Sequence, residues 1–212
     1  MIVDVEQELA FVHIPHNGGS NLKQNFLKYA QFKIYIPHVI PEDYQNPFNF
    51  ANIEGAVNKV DHLPAEWAPI GFTTIALIKN PYHREVSQYN LLKNFHFFLE
   101  GARKFRNFTD FLKFKYTSDP DEVFYQNITS GYMRNKDQYY YTHKGKMNYF
   151  IFHEKLSEDW RRLQENYHLP NPWGSTFNKH THADWRTYYK GGLHELVNNK
   201  DFEAFNYSLD IA

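Results

Sequence analysis

Apolar positions along this chain come in short runs cut off by glycine and proline. Leu9, Ala10, Phe11, Val12, His13 and Ile14 form one such run, which stops at Pro15 as a buried parallel strand does. Gly18, Gly19 and Ser20 follow, and then Leu22, Phe26, Leu27 and Ala30 recur at helical spacing. The order predicted is strand, glycine turn, helix. A second run, residues 73–78, ends at Lys79, Asn80 and Pro81, and a proline in that place opens a helix, predicted to reach about Glu100.

Elsewhere the pattern is weaker. It predicts strands at 33–36 and near 56–60, and helices over 105–116 and 121–133. Residues 138–142 and 147–152 flank His143, Lys144, Gly145 and Lys146, which predicts a hairpin or an approach of two strands. Ser157 suits an N-cap, with Glu158 and Asp159 in the first turn of a helix ending near Leu169 and Pro170. Residues 183–207 read as helical. No repeat, low-complexity tract or linker interrupts the chain, so one domain over 1–212 is expected. Strands alternating with helices predict an α/β fold, a largely parallel sheet flanked by helices with a strand–loop–helix anion loop.

Composition narrows the chemistry. The 212 residues suit one sizeable α/β domain, and a hydrophobic share of 42% is that of a globular chain. Aromatics are abundant, with 19 Phe and 16 Tyr, and most are assigned to packing. With 23 basic and 24 acidic residues the net charge is −1, so nothing draws the chain as a whole to nucleic acid or an anionic membrane. Any anion site is local. The absence of cysteine excludes disulfides, thiolate zinc sites and a cysteine nucleophile, and fits a reducing compartment. Residues 1–8 carry acidic side chains and no apolar core of a signal peptide, and no run of about 18 apolar residues occurs. A soluble, cytoplasmic protein is the expectation.

A strand that runs through a glycine turn into a helix makes a ready anion site. Unpaired backbone N–H groups at the helix start converge on the ligand, and the helix dipole adds to the attraction. In His16, Asn17, Gly18, Gly19, Ser20 and Asn21 the glycines allow close approach, and Ser20 and Asn21 add side-chain donors. The spacing is not that of a nucleotide P-loop, which needs four residues between its glycines and a lysine after the second.

The stretch from Phe11 to Ser20 resembles the 5'-phosphosulfate loop of the sulfotransferase superfamily, close to F-x-H-x-P-K-T-G-G-T/S. Carried over by position, Asn17 to Asn21 hold the 5'-phosphate. The stretch from Leu77 to Tyr89 is similar to the family's 3'-phosphate segment, L-x-R-D/N-P-x-x-R-x-x-S-x-Y. The resemblance gives Lys79 and Ser87 the 3'-phosphate, while Arg84 is expected in a structural ion pair. A weaker likeness lies in residues 149–159, similar to the family's strand ending in E-x-L before a helix. The resemblance implies transfer of a sulfuryl group from 3'-phosphoadenosine-5'-phosphosulfate to a hydroxyl or amine, with a carbohydrate as the expected acceptor and no metal.

Two departures bear on turnover. His16 stands where the family has the lysine that reaches the leaving phosphate, and an unperturbed histidine is mostly neutral near pH 7. Neighbouring phosphates favour its charged form. Lys79 replaces an arginine and so keeps the charge without the bidentate fork. For the acceptor's proton, His62 is the first candidate base, because residues 60–64 resemble a G-H-x-P segment of carbohydrate sulfotransferases; Asp61 stands in place of that glycine. His13, His38 and Glu154 are the alternatives. Lys144 and Lys146, Asn127 to Thr129, and Lys179 have minor claims on the nucleotide. A fold of this kind with little or no catalysis is the alternative function, and a P-loop kinase a more distant one.

Overall fold

Asp4 is wholly buried and makes the first turn: its Oδ1 accepts from the N–H groups of Glu6 and Gln7 at 3.0 and 3.1 Å. The turn folds strand β1 (Ile2–Asp4) back onto β2 (Leu9–Val12), antiparallel, with Ile2 opposite Phe11. The structure is a computed structural model describing residues 1–29, 31–35, 63–94, 105–117, 137–170, 184–197 and 200–209. These fall into two compact units, Met1–Lys79 with Gln138–Lys179, and Asn80–Asp137 with His180–Ala212.

The first unit is a five-stranded open sheet in the order β3-β1-β2-β4-β5. Strand β3 (Phe32–Ile34) pairs antiparallel with β1. On the other side β4 (Thr73–Ile78) runs parallel to β2, and β5 (Tyr149–Phe152) runs parallel to β4. The α/β character expected from the sequence holds, but the sheet is mixed. The edge formed by β1 and β3 is antiparallel because a turn of only four residues joins β1 to β2, far too few for a parallel crossover. The segment expected to pair as a hairpin before β5 is instead a helical turn, Gln138–Tyr141.

Helix α1 (Gly19–Phe26) packs on this sheet through an aromatic box. Phe26 stacks on Phe32 with ring centroids 4.2 Å apart and meets Phe11 edge-on at 4.8 Å, with Trp160 at 5.6 Å. Trp160 lies on the helix Leu156–Asn166, whose buried residues Leu156, Asp159, Trp160 and Leu163 recur at helical spacing. That helix starts one residue before Ser157, after a 3-10 turn (His153–Lys155), and no side chain caps it. The abundance of rings thus serves packing here, as expected.

The second unit has its own core. Helix α2 (Pro81–Asn94) begins where the proline predicts, with Asn80 Oδ1 accepting from the N–H of Tyr82 at 3.0 Å. Tyr82, Val86 and Tyr89 pack with Phe108, Phe111 and Leu112 of helix α3 (Phe108–Thr117) and with Tyr189, Val197 and Phe202. The long helix expected over 183–207 is broken into 3-10 turns at Trp185–Tyr188 and Leu193–Leu196 and a short helix at Asp201–Ala204. Gly191 and Gly192, at φ 64° and 77°, sit in the left-handed region that interrupts a helix. Expected elements at 56–60 and 121–133 lie outside the described residues. No described helix is long and apolar enough to cross a membrane.

Lys115 is buried in this unit and donates to both carboxylate oxygens of Glu85 at 2.7 and 2.5 Å and to Gln88 Oε1 at 2.6 Å. Burial pushes the Lys115 ammonium below its ordinary pKa, and Glu85 pulls it back. Glu85→Leu is expected to cost about 3–5 kcal/mol in chemical denaturation, and adding Lys115→Met to recover most of it. Additive losses in the double variant contradict this pairing.

Candidate functional site: the loop between strand β2 and helix α1

Three parallel strands, β2, β4 and β5, end on the same side of the first unit, and their carboxyl ends carry His13, Lys79 and His153. In open α/β sheets ligands bind outside the carboxyl ends of such strands. The chain leaving β2 turns through residues 15–18 and enters α1 at Gly19.

Each glycine of this turn has its own physical reason. Gly18 is at φ 88°, where a side chain is strained. Gly19 has no such angle; it is glycine because the His13 ring lies against it, and a methyl group there would overlap the ring. The space above Gly18 opens toward Leu77 and the ring of His153, both in ordinary contact distance of a side chain built there. His16 precedes them at φ 68°, a left-handed angle that costs a non-glycine residue about 1 kcal/mol. Its Nε2 is buried.

Asn17 is the anchor. It is fully buried, and its Nδ2 donates to the carbonyl of Leu77 at 2.6 Å and to Gln138 Oε1 at 2.6 Å. Both hydrogens of that amide are spent inside the fold, so the Asn17 side chain shapes the loop. Gln138, also fully buried, accepts from Lys79 N–H at 2.9 Å and donates to the Lys79 carbonyl at 2.8 Å. The two segments singled out by sequence, around Asn17 and Lys79, are therefore bonded to each other through buried amides.

Of the other expected residues, Gly18, Gly19 and the backbone of Ser20 and Asn21 form the entry to α1. Lys79 closes β4 and is 6% exposed. Ser87 lies in α2, in the second unit, where its hydroxyl donates to the His83 carbonyl at 3.0 Å. Arg84 is buried in the same unit. His13 is buried against Gly19, and Glu154 is exposed on the turn after β5. Lys144 and Lys146 are exposed on a turn with His143, Lys144 and Gly145 all at positive φ. His62, His38, Asn127 to Thr129 and Lys179 lie outside the described residues.

Sequence reasoning missed Gln138 and His153. The signal for His153 is its place as the first residue after the third parallel strand; nothing local marks Gln138. Burial first, and then the charge of Lys79, push His153 down to about 4, against the pull of Glu154. His153 is thus a neutral imidazole at pH 7, able to accept a proton or a hydrogen bond beside the loop. No family model matches this chain, and neither a curated protein nor a solved structure does.

Two outcomes test this geometry. Gly19→Ala is expected to cost about 1–3 kcal/mol in thermal unfolding, and adding His13→Ala to relieve most of that. An undiminished melting temperature in the single variant contradicts the contact. By proton NMR, His153 is expected to titrate at about 4. The unfolded chain takes up this proton near pH 6.5 while the folded chain refuses it, so stability falls as the pH drops from 6.5 toward 4, by up to about 3 kcal/mol. In Lys79→Met the midpoint is expected to rise; a wild-type midpoint near 6.5 contradicts the burial.

Proposed function

We propose that this chain is a sulfotransferase that takes a sulfuryl group from 3'-phosphoadenosine-5'-phosphosulfate and passes it to a hydroxyl, most simply one on a carbohydrate. The observation that carries the reading is the buried amide link between Asn17 and Lys79. It joins two segments, each resembling a phosphate-binding motif of that family, at the carboxyl ends of adjacent parallel strands β2 and β4.

The residues present fit an anionic donor. The first amides of α1 have no intrahelical partners and offer an N–H set to the 5'-phosphate, with Gly18 and Gly19 leaving room for its approach. Lys79 supplies a positive charge on the neighbouring strand end; Ser87 is assigned to the 3'-phosphate by the resemblance alone. Transfer requires the donor held in line, the charge on the leaving phosphate stabilised, and the acceptor's proton removed. His16 is assigned to the leaving phosphate, protonated by the ligand's own negative charge. His62 is assigned as the base.

A second reading keeps the nucleotide and drops the turnover. It is favoured by His16, whose buried Nε2 and left-handed backbone fit a packing role where the family has a lysine.

Transfer of labelled sulfate from 3'-phosphoadenosine-5'-phosphosulfate to a panel of glycans separates the two. Expected is transfer that His62→Ala lowers about 100-fold or more and that His16→Lys retains or raises above pH 8. Loss of rate in His16→Lys at that pH contradicts the role of His16. Binding of the nucleotide with no transfer to any acceptor overturns the enzyme in favour of the binding protein.

A further inference from the structure

Gln138 lies 121 residues from Asn17 in the chain, yet its side chain occupies the junction of the two motif segments. Its amide behaves as a piece of backbone. Oε1 accepts twice, from Asn17 Nδ2 and from Lys79 N–H, and Nε2 donates to the Lys79 carbonyl. The residue β4 offers at its end is thereby paired as if another strand lay beside it. Asn17 spends its second hydrogen on the Leu77 carbonyl, also on β4. Every link in this chain of bonds is buried, where an unmet polar group costs about 1–3 kcal/mol.

The helical turn that presents Gln138 is itself fixed. The Thr142 hydroxyl donates to the Gln138 carbonyl at 3.0 Å and accepts from Gly145 N–H at 3.2 Å, and the turn closes through residues of positive φ. The other side chains that fit this volume fail chemically. A carboxylate sets an acceptor against the Lys79 carbonyl, asparagine is one methylene too short to reach, and leucine leaves three buried backbone and side-chain groups unmet.

We propose that Gln138 is a positioning residue that sets the spacing between the anion loop and Lys79, so that one ligand meets both. This rests on reading the loop as a phosphate site. Gln138 touches no ligand; it acts through Asn17, the residue before Gly18 and Gly19, and through the backbone of Lys79. An error of about 1 Å in such spacing is enough to cost on the order of 100-fold in a bound geometry.

The test uses Gln138→Leu and Gln138→Glu in the full chain, with two readouts. The first is calorimetric affinity for 3'-phosphoadenosine-5'-phosphate; the second is hydrogen exchange of the ligand-free amides from Gly18 to Leu22. Gln138→Leu is expected to weaken affinity about tenfold or more and to speed exchange at those amides while those of β1 and β3 stay protected. Gln138→Glu is expected to bind more tightly at pH 5.5 than at pH 8, because burial favours the protonated carboxyl, which alone can donate to the Lys79 carbonyl. The wild type at both pH values is the control. If the wild type binds no nucleotide, the sulfotransferase reading fails, and the positioning role is judged on exchange alone. Wild-type affinity and exchange in Gln138→Leu overturn the proposal. So does exchange that rises equally across the whole sheet, which marks a general structural loss. Should Gln138→Leu not fold, equal behaviour of Gln138→Glu at the two pH values overturns it.

Discussion

The side-chain amide of Asn17 ties the loop between β2 and α1 to the end of β4. A short loop between a strand and a helix start has few backbone bonds of its own to keep its shape. Here that shape comes from below, where two hydrogens of one buried amide are given to the end of β4 and to Gln138. The glycines then become readable. With Asn17 fixed, the chain turns left-handed at Gly18 and passes under the His13 ring at Gly19, and each step excludes a side chain. The aromatic box of Phe11, Phe26, Phe32 and Trp160 clamps the helix that follows, so both ends of α1 are tied to the sheet.

Around this frame the chemistry is unevenly charged. Lys79 is nearly buried at one strand end, and His153 at the next is kept neutral by burial and by that lysine. An imidazole without a proton beside a cation suits a site that receives an anion, because the entering negative charge offsets the lysine's and eases protonation of the ring. His16 differs in kind. Its position in the loop is set by backbone strain that a glycine would avoid, and such strain persists only where the surroundings impose it.

Much of this frame was legible in sequence because its signals are local. The apolar run ending at Pro15, the glycine pair and the proline after Asn80 each state a conformation within a few residues, and β2, β4, α1 and α2 appear where they point. What was not legible is long-range or too short. Strand β1 has three residues set among acidic neighbours, and its buried Asp4 looks like any solvated carboxylate. The Tyr-rich segment after Gln138 carries strand propensity, yet it is a helical turn whose first residue bonds through its side chain to Lys79 and Asn17. The polar segment after residue 183 has helical periodicity, but two adjacent left-handed glycines cut it. The acceptor's base, assigned to His62, rests on resemblance alone.

The most direct test of the central claim is an amide correlation spectrum of the unmodified chain titrated with 3'-phosphoadenosine-5'-phosphate and, separately, with ATP. The expected result is saturable shifts centred on Gly18, Gly19, Asn21 and Lys79 at lower concentrations of the bisphosphate than of ATP. Shifts absent from these amides, or ATP binding there more tightly, contradict the reading of this loop as a phosphosulfate site.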